Sequence, residues 1–173
     1  MYVLNDWQIF FNNLNGYQEL KDNCDTTLNN MFHSTLKSTF ALPVRVYFQD
    51  TDAGGVVFHA SYVNFLERAR TEWLRECYGY SNTGLMREFG VVFVVRSLRL
   101  DYLKPAVLDD LLSISVQLKD VGRSRVILCQ NVLRDEDVLV EAEIHLVCVT
   151  TDNFKPISVP EVLREQWENK RVI

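Results

Sequence analysis

Between residues 91 and 150 the chain runs through four segments of two-residue period with no helical stretch between them, and that pattern leaves few folds open. The segments are Val91–Tyr102, Leu111–Lys119, Ser124–Leu133 and Val138–Thr150. Each is rich in Val, Ile and Leu, and the breaks carry Pro105, Asp109-Asp110, Gly122 or Asp135-Glu136-Asp137. Consecutive strands without helical crossovers pair antiparallel. In the second, Leu112, Ile114, Val116 and Leu118 alternate with Ser113, Ser115 and Gln117, so one face is buried and the other is wetter.

The segment ahead of this run has a different period. From Ala60 to Cys77, Val63, Leu66, Ala69, Trp73 and Cys77 recur at helical spacing with Phe65 and Leu74 beside them, while Glu67, Arg68, Arg70, Glu72, Arg75 and Glu76 cover the other side. That is one long amphipathic helix. Leu42 to Phe48 alternates as a strand before it, Ser81–Phe89 reads as a short helix closed by Gly90, and a last helix near Pro160–Glu168 starts with Pro160 in its first turn. The expected class is α+β: an antiparallel sheet wrapped on one central helix. With 173 residues, 47% of them apolar, there is material for a single core, and no linker or repeat divides the chain. Residues 1–36 are Asn-rich and aperiodic and are expected to lie outside that core. Met31 is an expected alternative start.

A net charge of -5 with dispersed Lys and Arg argues against nucleic acid as a partner. Apolar runs such as Val91–Val95 are far below the roughly 20 residues that span a bilayer. No basic stretch leads into an apolar one at the N-terminus, so a cytoplasmic address is expected. Cys24, Cys77, Cys129 and Cys148 show no CxxC spacing and read as reduced, mostly buried thiols. No metal or other cofactor is expected.

The chemically informative stretch is Asp50-Thr-Asp52-Ala-Gly54-Gly55-Val56-Val57-Phe58-His59-Ala-Ser-Tyr62, between the first strand and the long helix. A helix N-terminus offers unpaired N–H groups and positive partial charge, which suits a carbonyl oxygen gaining negative charge. Glycines at 54 and 55 let backbone approach a ligand closely. Taken without its surroundings, Asp-Thr-Asp before Gly is equally common turn chemistry. His145, isolated in a strand, reads as structural, and Arg123-Ser124-Arg125 after Gly122 reads first as a hairpin tip.

The run from Val44 through Asp50-Thr-Asp-Ala-Gly-Gly-Val-Val-Phe-His-Ala-Ser-Tyr to Glu67-Arg-Ala-Arg-Thr-Glu-Trp-Leu-Arg resembles the 4-hydroxybenzoyl-CoA thioesterase-like family, most of all its Tol-Pal-associated acyl-CoA thioesterases. Similarity continues through Phe93-Val-Val-Arg, Asp101-Tyr-Leu-Lys-Pro-Ala, Glu141-Ala-Glu and Val147-Cys-Val, over about residues 42–165. The resemblance implies a hot-dog domain over 41–173 after an extension over 1–40, working as a homodimer or homotetramer on acyl-CoA. It places the catalytic carboxylate on Asp52 and the carbonyl-polarising amide on His59, with Asp50 a structural acid. Gly54, Gly55, Val56, Val57, Phe58 and Tyr62 would border the substrate. Arg96, Lys104, Arg123 and Arg125 are candidates for the CoA phosphates. Acyl carrier protein and phospholipid-synthesis enzymes follow as partners by analogy.

Two rivals use some of the same residues. Asp-x-Asp after a strand also marks haloacid-dehalogenase-like phosphotransferases, but those need alternating strands and helices, which this chain lacks. A hot-dog module could also bind acyl chains without turnover; Asp52 with the Gly pair and His59 argues for a working site.

Overall fold

The computed structural model describes residues 40–170. Of the extension expected over 1–40, only Phe40 falls inside that range; Cys24, Met31 and His33 lie outside the described residues. Five strands form one antiparallel sheet: β1 (Phe40–Arg45), β2 (Val91–Tyr102), β3 (Leu111–Val121), β4 (Arg125–Arg134) and β5 (Asp137–Thr150). Helix α1 (Ser61–Tyr78) and the short α2 (Asn82–Phe89) lie between β1 and β2 in sequence, and α3 (Glu161–Lys170) follows the sheet. The order across the sheet is β1-β3-β4-β5-β2. The two strands that flank the helices in sequence therefore sit at opposite edges, and α1 crosses one face of the sheet between them.

That face is the core. α1 buries Tyr62, Phe65, Leu66, Ala69, Trp73 and Leu74, against Leu112, Ile114, Val126, Leu128, Val140 and Ile144 from the sheet. Each fully buried Leu, Ile or Phe contributes about 1.5–3 kcal/mol. The stripe is rotated from the expected one: Tyr62 is buried, whereas Val63 and Cys77 are only partly so. Arg70 also departs from the expected solvent face. It is half-buried, and its guanidinium donates to Gln130 Oε1 at 2.9 Å, while the fully buried Gln130 amide donates to the Leu66 carbonyl at 3.1 Å. Burial lowers the Arg70 pKa.

The first strand ends earlier than its alternation suggests. Val46 still bonds, donating to Asp110 O at 2.9 Å and accepting from Asp109 N at 3.1 Å. At Tyr47 the backbone N–H is taken by Asp50 Oδ2 instead (2.9 Å), and Phe48–Asp50 closes into a 3₁₀ turn. Tyr47 and Phe48 end 61% and 81% exposed.

The C-terminal end of α1 is sealed. Gly79 adopts φ 76°, with Gly79 N donating to Arg75 O (2.9 Å) and Tyr80 N to Leu74 O (3.3 Å), a left-handed C-terminal cap that glycine enters without strain. Trp73 and Tyr78 of the last turns pack with Phe93 and Trp167, ring centroids 5.0–6.1 Å apart. Trp167 anchors α3 there, 2% exposed. Ser81 caps α2 through Gly84 N, and Gly90 ends it at φ 64°. Among the described residues no helix is long and apolar enough to cross a membrane.

Candidate active site

The opposite end of α1 is built from the loop that sequence analysis singled out. Asp52 N donates to Val56 O (2.9 Å) and Gly55 N to Asp52 O (3.0 Å), so residues 52–55 form a tight turn ending in Gly55 at φ 75°. The Asp52 side chain folds onto this turn, Oδ1 accepting from Gly54 N at 2.8 Å. A Cβ at position 54 would stand 3.0 Å from Oδ1, so a residue with a side chain would push the carboxylate aside. Among the described residues Oδ2 has no hydrogen-bond partner. The bland turn role and an available carboxylate oxygen thus coexist in one side chain.

Four backbone links shape the loop, two of them closing it on itself and two tying it to the segment after β2. Thr51 bridges Val57, Val56 bridges Val107, Val57 N donates to Ala106 O (2.9 Å) and Phe58 N to Asp50 O (2.8 Å). Asp50 is buried. Ala106 N donates in turn to the Tyr62 hydroxyl at 3.0 Å, tying the segment after β2 to the first turn of α1. Burial raises the Tyr62 pKa.

Asp52, Ala53, Gly55 and Thr51 open onto a cavity of about 490 Å³ whose other walls are Phe48 and Leu108. That volume lies within the range of small-molecule sites, and its walls are apolar apart from the loop itself. Phe58 and His59 are exposed, and their rings meet at a tilt of 53° with centroids 4.2 Å apart. Val57 and Tyr62 face the core, so they support the loop from beneath. The helix start has no side-chain cap at Ala60. The backbone N–H groups of His59 and Ala60 have no partner among the described residues.

The four basic candidates for CoA phosphates do not gather at this loop within one chain. Arg96 occupies the bulge of β2 between Val95 and Ser97. Lys104 pairs with Asp137 (2.7 Å), Arg125 with Asp120 (2.9 Å), and Arg123 donates to Ser158 Oγ (3.1 Å). Arg123 and Arg125 flank the β3–β4 turn, whereas the loop is laced to the segment just before β3. An 11-residue strand separates these ends, on the order of 30 Å.

A family model described as thioesterase-like superfamily matches residues 46–167, which is most of the chain. The chain belongs to the thioesterase-like superfamily. Among its relatives, the Escherichia coli protein named acyl-CoA thioester hydrolase YbgC is 46% identical over 130 residues, 75% of this chain and 96% of that one. The Haemophilus influenzae acyl-CoA thioesterase YbgC is 40% identical over 134 residues, 78% of this chain and 98% of its own length. The crystal structure of a probable thioesterase from Bartonella henselae superposes with a TM-score of 0.68 at 34% identity, covering 71% of this chain and all of that one. The hot-dog expectation holds: a curled antiparallel sheet with its long helix across one face.

Sequence reasoning missed two walls of this superfamily member's cavity. Alternation makes Phe48 the end of a strand, and Leu108 carries no signal in the sequence. Both are apolar residues left 81% and 43% exposed beside a carboxylate, which only the assembled fold displays.

Proposed function

We propose that this superfamily member hydrolyses acyl-CoA thioesters at the Asp52 loop. One observation carries the reading: a carboxylate with one fixed and one available oxygen lines an apolar-walled cavity, in the loop that runs directly into a helix start whose His59 and Ala60 N–H groups have no partner among the described residues. In this reading the thioester oxygen lies against those N–H groups, which favour the charge it gains as the carbonyl becomes tetrahedral. Asp52 either attacks the carbonyl carbon or takes the proton from the attacking water. Collapse expels a thiolate, a good enough leaving group that no separate acid is required.

The outer edge of β2 supports a homo-oligomer as part of the proposal. β2 pairs with β5 alone among the described strands, and it presents 12 residues with Val95 51% exposed. A long apolar edge is a template for pairing with a second copy. Such a copy would also bring a second set of basic residues, Arg96 included, toward the CoA phosphates. A cytoplasmic setting completes the reading; Cys129 and Cys148 as free thiols fit it. Acyl carrier protein and phospholipid-synthesis enzymes are the partner classes that family analogy adds.

The test is thiol release from a panel of short, long and aromatic acyl-CoAs by the purified protein and by Asp52→Asn. Turnover by the wild type with a loss of about a hundredfold or more in the variant supports the reading. Binding without thiol release would make the chain an acyl-binding module.

A further inference from the structure

Resting on the reading above, we propose that Tyr102 is a positioning residue for the Ala60 N–H, one of the two carbonyl-polarising amides at the start of α1. Its hydroxyl donates to the His59 carbonyl oxygen at 3.0 Å across a sequence separation of 43 residues. A trans peptide unit is planar, with its C=O and N–H pointing in opposite directions. Fixing the His59 carbonyl therefore fixes the direction of the Ala60 N–H in the same unit.

The neighbouring unit is fixed by a different bond. The Phe58 carbonyl accepts from Ser61 N at 2.8 Å, which directs the His59 N–H away from the helix. Ala60 already has helical torsions, φ -75° and ψ -21°, so both free N–H groups belong to the positive end of the helix dipole. One of the two is held by the helix itself, the other by Tyr102. Val63 N, the donor four residues on from the His59 carbonyl, is occupied by Ala60 O at 3.1 Å, so the regular α-helical bond to that carbonyl is not made.

Tyr102 is well placed to hold a direction. Its backbone is the last residue of β2, in register with Val140 of β5, and its ring meets the buried Tyr62 edge-on at 5.7 Å. Tyr62 is itself bonded to Ala106 N. The sheet thus sets the orientation of a peptide in the helix start. Tyr102 lies in the Asp101-Tyr-Leu-Lys-Pro-Ala stretch, to which the reaction scheme assigns no role beyond the Lys104 candidate.

The experiment compares Tyr102→Phe, which removes one oxygen atom, with wild type in turnover, and in the Asp52→Asn background follows the carbonyl stretch of bound acyl-CoA by difference infrared spectroscopy. The expected result is a kcat lower by about tenfold, less than the roughly hundredfold that loss of a direct donor costs, with KM within about twofold and the pH profile unchanged in shape. The carbonyl stretch of the bound thioester moves back toward its free value. Site-specific 3-fluorotyrosine at position 102, a stronger donor of nearly the same shape, keeps kcat at or above wild type and deepens the carbonyl shift, and it serves if the Phe variant does not fold. Wild-type turnover with an unchanged kcat in Tyr102→Phe overturns the inference and leaves the Asp52 reading standing. So does a fall in kcat that tracks lost folded protein while the carbonyl stretch stays put. A wild type that releases no thiol at all removes the Asp52 reading and this inference with it.

Discussion

The two ends of α1 are finished in opposite ways. At the C-terminal end Gly79 returns the last carbonyls to N–H donors, and Trp73, Tyr78, Phe93 and Trp167 pack on one another at the last turns of the helix. At the N-terminal end there is no side-chain cap, Phe58 and His59 are exposed, two backbone N–H groups have no partner among the described residues, and the loop leading into the helix lines an apolar cavity. The packed end supplies rigidity. Unsatisfied polar groups cost stability unless water or a ligand completes them, so the open end is where a ligand is expected.

The contrast breaks most visibly if the sealed end is opened. Trp167→Ala removes the ring that docks α3 on Trp73 and Phe93, and is expected to cost about 3–5 kcal/mol in denaturant unfolding while turnover per folded molecule stays near wild type. An equal loss of turnover per folded molecule would mean that the two ends are coupled. Midway along the helix, Gln130→Leu strips the half-buried Arg70 guanidinium of its acceptor, and a loss of about 2 kcal/mol is expected by the same measurement. Gly79→Ala keeps open space around the new methyl but forces alanine to φ 76°, for about 1 kcal/mol.

The same comparison shows what a sequence carries. Periodicity located α1, α2 and the four later strands because those patterns are local: alternation in β3, helical spacing over 60–77, glycine at 90. The site loop was legible as a loop, since Gly54 and Gly55 announce a turn. The end of β1 was not, because Val46, Tyr47 and Phe48 continue the alternation, and what stops the strand is the Asp50 carboxylate taking the Tyr47 N–H. Arg70 with Gln130 and Tyr102 with His59 are pairs 60 and 43 residues apart, and neither residue type announces its partner. Phe48 and Leu108 read as ordinary apolar residues until the fold leaves them beside Asp52.

The smallest expected effect is on pH dependence at the sealed end. Burial pushes the Cys148 thiol up to about 11 and the Tyr78 hydroxyl up to about 12. Both are raised in the folded state, so their contribution is complete below the unfolded values near 9 and 10 and is lost as pH rises through the folded ones. The unfolding midpoint should therefore decline between about pH 9 and pH 12, and Cys148→Ala should flatten its lower part, up to about pH 11. An unchanged slope in the variant would place the titrating group elsewhere.

The two acids of the loop separate the roles most directly. Asp50 is buried and holds the Tyr47 N–H; Asp52 is exposed, with one oxygen on Gly54 N. Measured side by side, Asp52→Asn should keep the wild-type unfolding midpoint and lose about a hundredfold or more in acyl-CoA turnover. Asp50→Ala should lose about 1–3 kcal/mol of stability and retain most of its turnover per folded molecule. The reverse pattern, with Asp52→Asn active and Asp50→Ala folded but inactive, would contradict the assignment of the chemistry to Asp52.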